Sequence, residues 1–265
     1  MPGRRPRKVL SREEQVSHLL SRILRHQAVN LGLKLNPKGY AEVDKVLALQ
    51  NIRSLKVTFP ELRKIVAEND KQRYSLIPRD ESISPESEQA SDYLIRANQG
   101  HSIKLESVDL LTPITAEAGN IPETVVHGTD KATWDAIIRS GGLSKMTRNH
   151  VHLATGPSLG AVESGAAFAR KSGIVKGGVD DSSTNVNFPV SGIRKSTSLF
   201  IYIDIRRALE SGVNFWMSDN GVVLTEGNDK GLLLTEFFNV VFAKKQGVIW
   251  EGGKQVAELY GKSGE

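Results

Sequence analysis

Arg148, His150 and His152 occupy alternate positions of the run RNHVHLA, residues 148–154. Side chains along a β-strand alternate between faces, so this spacing predicts one guanidinium and two imidazoles on a shared face. Such a face suits a metal, a proton relay or an anion. H-x-H is a respectable metal spacing, but Arg148 would repel a dication there, and the chain has no cysteine to complete a ligand set. An anion fits better, because a guanidinium with neighbouring imidazoles can hold phosphate oxygens or sugar hydroxyls. The plain alternative is an exposed polar strand face.

Four other stretches carry similar chemistry. Arg22, Arg25 and His26 recur at three- and four-residue spacing and line one side of a helix. An Arg-His pair at a helix end can grip a phosphate, or can simply complement the helix dipole. Arg73 stands at the start of the strand-like RYSLI, as a phosphate ligand or as a solvated turn charge. IRANQGHS offers Arg96, Gln99, His101 and Ser102 at a strand end, or forms an ordinary hairpin turn. In VVHGT, His127 follows a buried-looking strand, Gly128 lets backbone approach a ligand, and Thr129 offers a hydroxyl. Its structural alternative is Thr129 capping a helix that begins at Asp130.

These residues must be positioned by a fold, and the fold is legible in outline. Ser11 and Glu14 make an S-x-x-E capping box, and Val16, Leu19, Leu20 and Ile23 continue at helical spacing. LGLKL alternates as a short strand before the NPKGY turn. AEVDKVLAL and PELRKIVAEND predict two helices, the second opened by Pro60. RYSLI and DYLIRANQ predict a hairpin. Helix, ribbon, two helices and hairpin make a winged-helix pattern over 11–110, an architecture that often binds nucleic acid. Residues 111–122, with two prolines, predict a linker. From 123 to 250 strands outnumber helices: TVVHGT, HVHLAT, LFIYIDI, GVVLTEG and LLLTEFFNVVFA surround the helix DKATWDAIIRSG, which Gly141 ends. Part of 156–197, rich in Gly and Ser, predicts a flexible insertion, and 251–265 a C-terminal tail. The fold class is α+β.

The formal charge is +5, with 35 basic and 30 acidic residues among 265. Arg4, Arg5, Arg7, Lys8 and Arg12 carry the whole excess, since 35 − 5 leaves 30 against 30. Residues 1–10 therefore predict a disordered basic tail, suited to a polyanion such as RNA or serving as a solvated terminus or localisation signal. No apolar run approaches the roughly 20 residues of a membrane span. The absence of cysteine fits a reducing compartment. No Rossmann fingerprint or P-loop is present.

Taken in order, LSRILRH, DKQRYSL, IRANQGHS, VVHGT, IIRSGGLSKMTRNHVHLA and IYIDIRRAL resemble the RNA 2′-phosphotransferase family, also called tRNA 2′-phosphotransferases, from about residue 11 to 241. The resemblance implies a winged-helix RNA lobe followed by an ADP-ribosyltransferase-like mixed β lobe. It implies an NAD-dependent enzyme that removes the splice-junction 2′-phosphate of ligated tRNA in two steps. The path runs through an RNA-2′-phospho-ADP-ribosyl intermediate to 2′-OH RNA, nicotinamide and ADP-ribose 1″,2″-cyclic phosphate, with NAD⁺ as co-substrate and no metal. It implies a catalytic set of Arg25, His26, Arg73 and Arg148.

The same resemblance assigns NAD⁺ contacts to His127, Gly128, Thr129, Ser140, Gly142, His150, His152 and Leu153. It assigns RNA or phosphate contacts to Arg22, Arg96, Gln99, His101 and Ser102. His127 and His152 match a His-His-aliphatic triad, with Val222 or Val223 third, and Arg194 resembles a further family motif. A monomer in the cytoplasm or nucleus, acting on tRNA or another RNA with an internal 2′-phosphate, completes the expectation. Two other readings compete: an ADP-ribosyltransferase acting on a terminal nucleic-acid phosphate, and a catalytically degenerate RNA-binding protein. A metal hydrolase built on H-x-H is a further alternative, which activity in a chelator would dispose of.

Overall fold

The computed structural model describes residues 10–103, 111–163, 193 and 197–259. Arg194, most of the insertion and nearly all of the basic tail lie outside the described residues. The chain divides into two compact units, Met1–Leu110 and Leu111–Glu265. Both mix helices with antiparallel sheet.

In the first unit α1 (Arg12–Arg22) starts at the expected capping box: Glu14 N–H donates to Ser11 Oγ at 3.1 Å, and Ser11 N–H donates back to Glu14 Oε2 at 2.9 Å. The helix then widens into a π-helical turn, Ile23–Gln27. α2 (Val43–Ala48), α3 (Gln50–Ser54) and α4 (Phe59–Ala67) follow. Thr58 caps α4, accepting from Glu61 N–H at 3.3 Å, with Pro60 in its first turn. Three antiparallel strands, β1 (Ala41–Glu42), β3 (Tyr93–Ala97) and β2 (Tyr74–Pro78), pair in that order. LGLKL is turn and coil, and the short strand falls instead on Ala41–Glu42, where β3 offers a free edge. Leu20, Ile23, Leu62 and Ile95 fill the core. Each such side chain stabilises the unit by about 1.5–3 kcal/mol on burial. Arg12 belongs to the fold as well as to the basic excess: its Nε and Nη2 donate to Glu61 Oε1 and Oε2 at 2.6 and 2.9 Å. That guanidinium holds the Glu61 carboxyl below the usual range.

The second unit contains β4 (Thr112–Ile114), β5 (Val126–Thr129), α5 (Lys131–Ser140), β6 (Gly142–Ser144) and β7 (Val151–Ala154). Helical residues 159–163 (α6) follow, then β8 (Leu199–Ile203), α7 (Ile205–Glu210), β9 (Phe215–Met217), β10 (Val222–Thr225) and β11 (Leu232–Leu234). β12 (Phe238–Ala243), β13 (Gly247–Glu251) and β14 (Lys254–Gln255) complete it. Among the described residues nine strands form an antiparallel sheet in the order β14-β13-β12-β8-β5-β7-β10-β9-β4, while β11 pairs with β6 alone. The strand register sends alternate residues to two apolar clusters. Val126, Ala154, Phe200, Tyr202 and Phe242 enter one; Val151, Leu153, Ile201, Val223 and Val241 enter the other.

Three expectations change here. Residues 111–122 are more than a linker, because Thr112–Ile114 pairs with β9 and Ile114 is buried in the core. The sheet continues beyond residue 250, with Lys254 and Gln255 paired to β13, so the expected tail begins as sheet. LLLTEFFNVVFA is two strands in two sheets, broken by a helical turn at Thr235–Phe237. Gly141 ends α5 as expected, in the left-handed region at φ 77°, where a side chain would be strained.

Candidate active site

The first unit gathers three predicted residues on one backbone segment, 97–103. Ile23 and Leu24 pack into the core, which fixes the π turn and lifts Arg25 and His26 toward its outer side. π-helical turns of this kind are frequent at functional sites. Ser102 N–H donates to the Arg25 carbonyl at 3.0 Å, and His26 Nδ1 lies 2.8 Å from Ser102 Oγ. The half-buried Arg25 side chain runs along Gly100, whose φ of 86° turns the chain back beside it. Arg73 hangs on the same segment: Asn98 N–H donates to its carbonyl at 2.9 Å. The Arg73 backbone N–H and Nη1 donate to Asn69 Oδ1 at 3.2 and 3.1 Å.

Asn98 escaped the sequence reading. It is buried, donates through Nδ2 to the Gln72 carbonyl at 2.8 Å and accepts from Ser75 Oγ at 2.6 Å. It thereby couples the β2 start to the β3 end. Its only sequence signal was its place in RANQGHS. Gln72, immediately before Arg73, has φ 44°, a left-handed conformation that side chains rarely take. Two arginines and a histidine held this way can make charge-assisted hydrogen bonds to an anion.

The other predicted RNA contacts divide. Ser102 is exposed beside His26, and Arg22 is exposed on α1. Gln99 is half-buried and His101 buried. Arg96 is buried on β3, its guanidinium lies 4.7 Å from the Tyr40 ring centre, and Nη1 donates to the Lys38 carbonyl at 3.1 Å. Its charge serves the NPKGY turn, because a buried cation needs an aromatic face and carbonyls close by.

In the second unit the three histidines form a chain, not a row. β7 begins at Val151, so Arg148 and His150 lie in the preceding bend and only His152 is on the strand. The shared face predicted for Arg148, His150 and His152 therefore does not form, because β10 pairs with β7 from Val151↔Thr225 onward and, among the described residues, no pairing extends the strand backward. His152 Nδ1–H donates to the His150 carbonyl at 2.9 Å, and His127 Nδ1–H donates to the His152 carbonyl at 3.0 Å. A carbonyl only accepts, so both rings carry the proton on Nδ1, and in the neutral form Nε2 is the acceptor. That tautomer suits hydroxyl donors.

His150 points elsewhere. It is 9% exposed, packs edge-on against Trp216 at 5.8 Å, and its Nε2 lies 3.8 Å from Glu226 Oε1. Burial pushes its pKa below the usual histidine value. Trp216 and Glu226 carried no sequence signal. Arg148 is exposed.

Three predicted cofactor contacts have structural employment. Leu153 is a core residue, so its side chain cannot meet a ligand. Ser140 Oγ donates to the carbonyls of Ile137 and Gly142. A Cβ on Gly142 would lie 2.3 Å from the Leu233 carbonyl oxygen, so this glycine answers to the β6–β11 pairing. Gly128 faces Thr197, whose Oγ1 would be 2.9 Å from a Cβ there and, among the described residues, is buried without a hydrogen-bond partner. Thr129 lies in β5, and the cap of α5 is Asp130, which accepts from Thr133 N–H at 2.9 Å. Register places Val222 opposite Ala154, on the His152 side, and Val223 opposite Leu153, in the core. Leu224 is the cross-strand partner of His152. Among the described residues no group of three or more His, Asp or Glu could hold a metal ion, and no helix is long and apolar enough to cross a membrane.

Residues 11–227 match the profile of the RNA 2'-phosphotransferase, Tpt1 / KptA family. The chain is 36% identical over 240 residues to tRNA 2'-phosphotransferase 1 of Danio rerio, covering 89% of this chain and 88% of that protein. It is 34% identical over 234 residues to the Mus musculus protein of the same name, covering 88% and 78%. To the tRNA 2'-phosphotransferase of Saccharomyces cerevisiae it is 33% identical over 200 residues, covering 75% and 71%.

Proposed function

The chain belongs to the RNA 2'-phosphotransferase, Tpt1 / KptA family, and on that premise we propose that it removes an internal 2′-phosphate from ligated tRNA with NAD⁺ as acceptor. The products are 2′-OH RNA, nicotinamide and ADP-ribose 1″,2″-cyclic phosphate. The first unit is read as a winged-helix RNA lobe and the second as an ADP-ribosyltransferase-like lobe. One observation carries the reading: the Arg25–His26 pair and Arg73, remote from it in sequence, are anchored on one short segment through Ser102, Gly100 and Asn98.

The donor set of the second unit fits a dinucleotide. Gly128 makes room for the Thr197 side chain, since a Cβ there would lie 2.9 Å from Thr197 Oγ1, and keeps that buried hydroxyl against β5. His127 and His152 hold fixed tautomers with Nε2 able to accept from sugar hydroxyls. When bound, NAD⁺ supplies the sugar carbon that takes the phosphate and the neighbouring hydroxyl that releases it from RNA.

The chain's own residues do the rest. Arg25 and Arg73 neutralise the 2′-phosphate oxygens, letting two polyanions approach, and positioning of this kind is worth several orders of magnitude. His26, its ring held by Ser102, donates a hydrogen bond to the phosphate and carries a proton. His127, Thr129 and His152 orient the sugars. Arg148 stabilises charge on the phosphoryl oxygens as the RNA 2′-oxygen departs.

The test is an RNA with one internal 2′-phosphate, incubated with NAD⁺, without it, and with NAD⁺ plus a chelator. Phosphate loss is expected in the first and third mixtures alone. Loss without NAD⁺, or none with it, overturns the proposal. Modification of a terminal phosphate with the internal one intact would favour the ADP-ribosyltransferase reading.

A further inference from the structure

We infer that His150 is a positioning residue: its buried ring pegs the bend that carries Arg148 and fixes the carbonyl that orients His152. The role of Arg148 rests on the function proposed above, whereas the peg itself is a matter of packing.

The bend 145–150 is tied at both ends. At its start Lys145 N–H donates to the Gly231 carbonyl at 3.1 Å, and Arg148 N–H donates to the Lys145 carbonyl at 3.1 Å. The Lys145 side chain fills the space a Cβ on Gly231 would take, with Cε only 2.7 Å from that point. Between the ties the backbone passes through a left-handed Met146 at φ 56°. A non-glycine residue holds that conformation when its surroundings over-determine it.

At the far end the tie is a side chain. The His150 ring is wedged against Trp216 of β9 and beside Glu226, just past β10. The same residue's carbonyl accepts from His152 Nδ1–H, and the His152 carbonyl accepts from His127 Nδ1–H. A ring that leaves the Trp216 wall lets its own peptide rotate. That rotation withdraws the acceptor from His152, which then samples the other tautomer, and it loosens the bend holding Arg148. His150 need touch neither RNA nor dinucleotide to matter.

The test uses the full-length protein labelled with ¹⁵N-histidine. In the unsubstituted protein His152 and His127 each give the Nδ1-protonated pattern. His150→Ala is expected to turn the His152 pattern into a tautomer mixture, and His150→Phe, which keeps a ring on Trp216, to restore it. In parallel, His150→Ala is expected to lower kcat for phosphate removal by about 10- to 100-fold, with KM for RNA changed less than about threefold and most of the rate recovered in His150→Phe. An unchanged His152 pattern in His150→Ala overturns the inference, as does His150→Phe losing it equally. Should His150→Ala not fold, Trp216→Leu is read on the same signal: loss supports the peg and retention overturns it. If the unsubstituted protein removes no 2′-phosphate, the proposed function fails while the tautomer readout still decides this inference.

Discussion

His26 Nδ1 and Ser102 Oγ stand 2.8 Å apart, joining the π turn to the segment that follows β3. The serine fixes the ring plane, so its removal should leave the imidazole present but poorly aimed. Ser102→Ala is expected to slow phosphate removal by about 2- to 13-fold, the rate equivalent of one hydrogen bond of about 0.5–1.5 kcal/mol. His26→Ala should cost more, about 10²-fold or beyond. Steady-state rates for the two variants check this, and equal rates for Ser102→Ala and the unsubstituted protein would count against the alignment role.

Arg148 is exposed within a tied bend. In the proposed mechanism its charge is needed most when phosphoryl oxygens are relieved of the RNA. Arg148→Ala should therefore slow dephosphorylation more than nicotinamide release, and nicotinamide should run ahead of 2′-OH RNA in a time course. Loss of both in step would reassign the residue.

Gly142 separates a structural glycine from a ligand contact. A methyl there would press on the Leu233 carbonyl, so Gly142→Ala is expected to destabilise the protein by about 1–3 kcal/mol, the range for overpacking. Denaturant titration measures it. Unchanged stability with weakened NAD⁺ binding would return Gly142 to the ligand set.

His150 gives the stability a pH signature. Burial lowers its folded-state pKa, with Glu226 raising and Lys145 lowering it in smaller measure. The unfolded chain therefore takes up the proton first as pH falls. This contribution to stability is complete above the ordinary histidine value of 6.5. It is lost as pH falls from there toward the lowered folded value, and it is flat below. His150→Phe should remove that component from a plot of Tm against pH; an identical slope in both proteins would show that His150 does not titrate in this way.

Local signals were readable where local chemistry decides the outcome. The capping box at Ser11 and Glu14, Pro60 in the first turn of α4 and Gly141 at the end of α5 all stand where backbone rules put them. Long-range partners were not readable. Alternation in RNHVHLA implied a longer strand than forms, because strand length depends on where β10 begins pairing. The partners of Arg96, the Tyr40 ring and the Lys38 carbonyl, come from a segment far away in sequence. The histidine chain is invisible in sequence, since each link is a side chain meeting a neighbour's main chain. Of the candidate site, the residue types were legible and their mutual geometry was not.

The π turn at Ile23–Gln27 holds one residue more than a regular helix would. Deleting a single position there would restore regular winding and improve local helix energy. It would also change how the turn presents His26, carrying the imidazole off its serine. If His26 acts as proposed, thermal robustness and catalytic aim pull against each other at this turn, and selection for heat resistance alone would be expected to erase it.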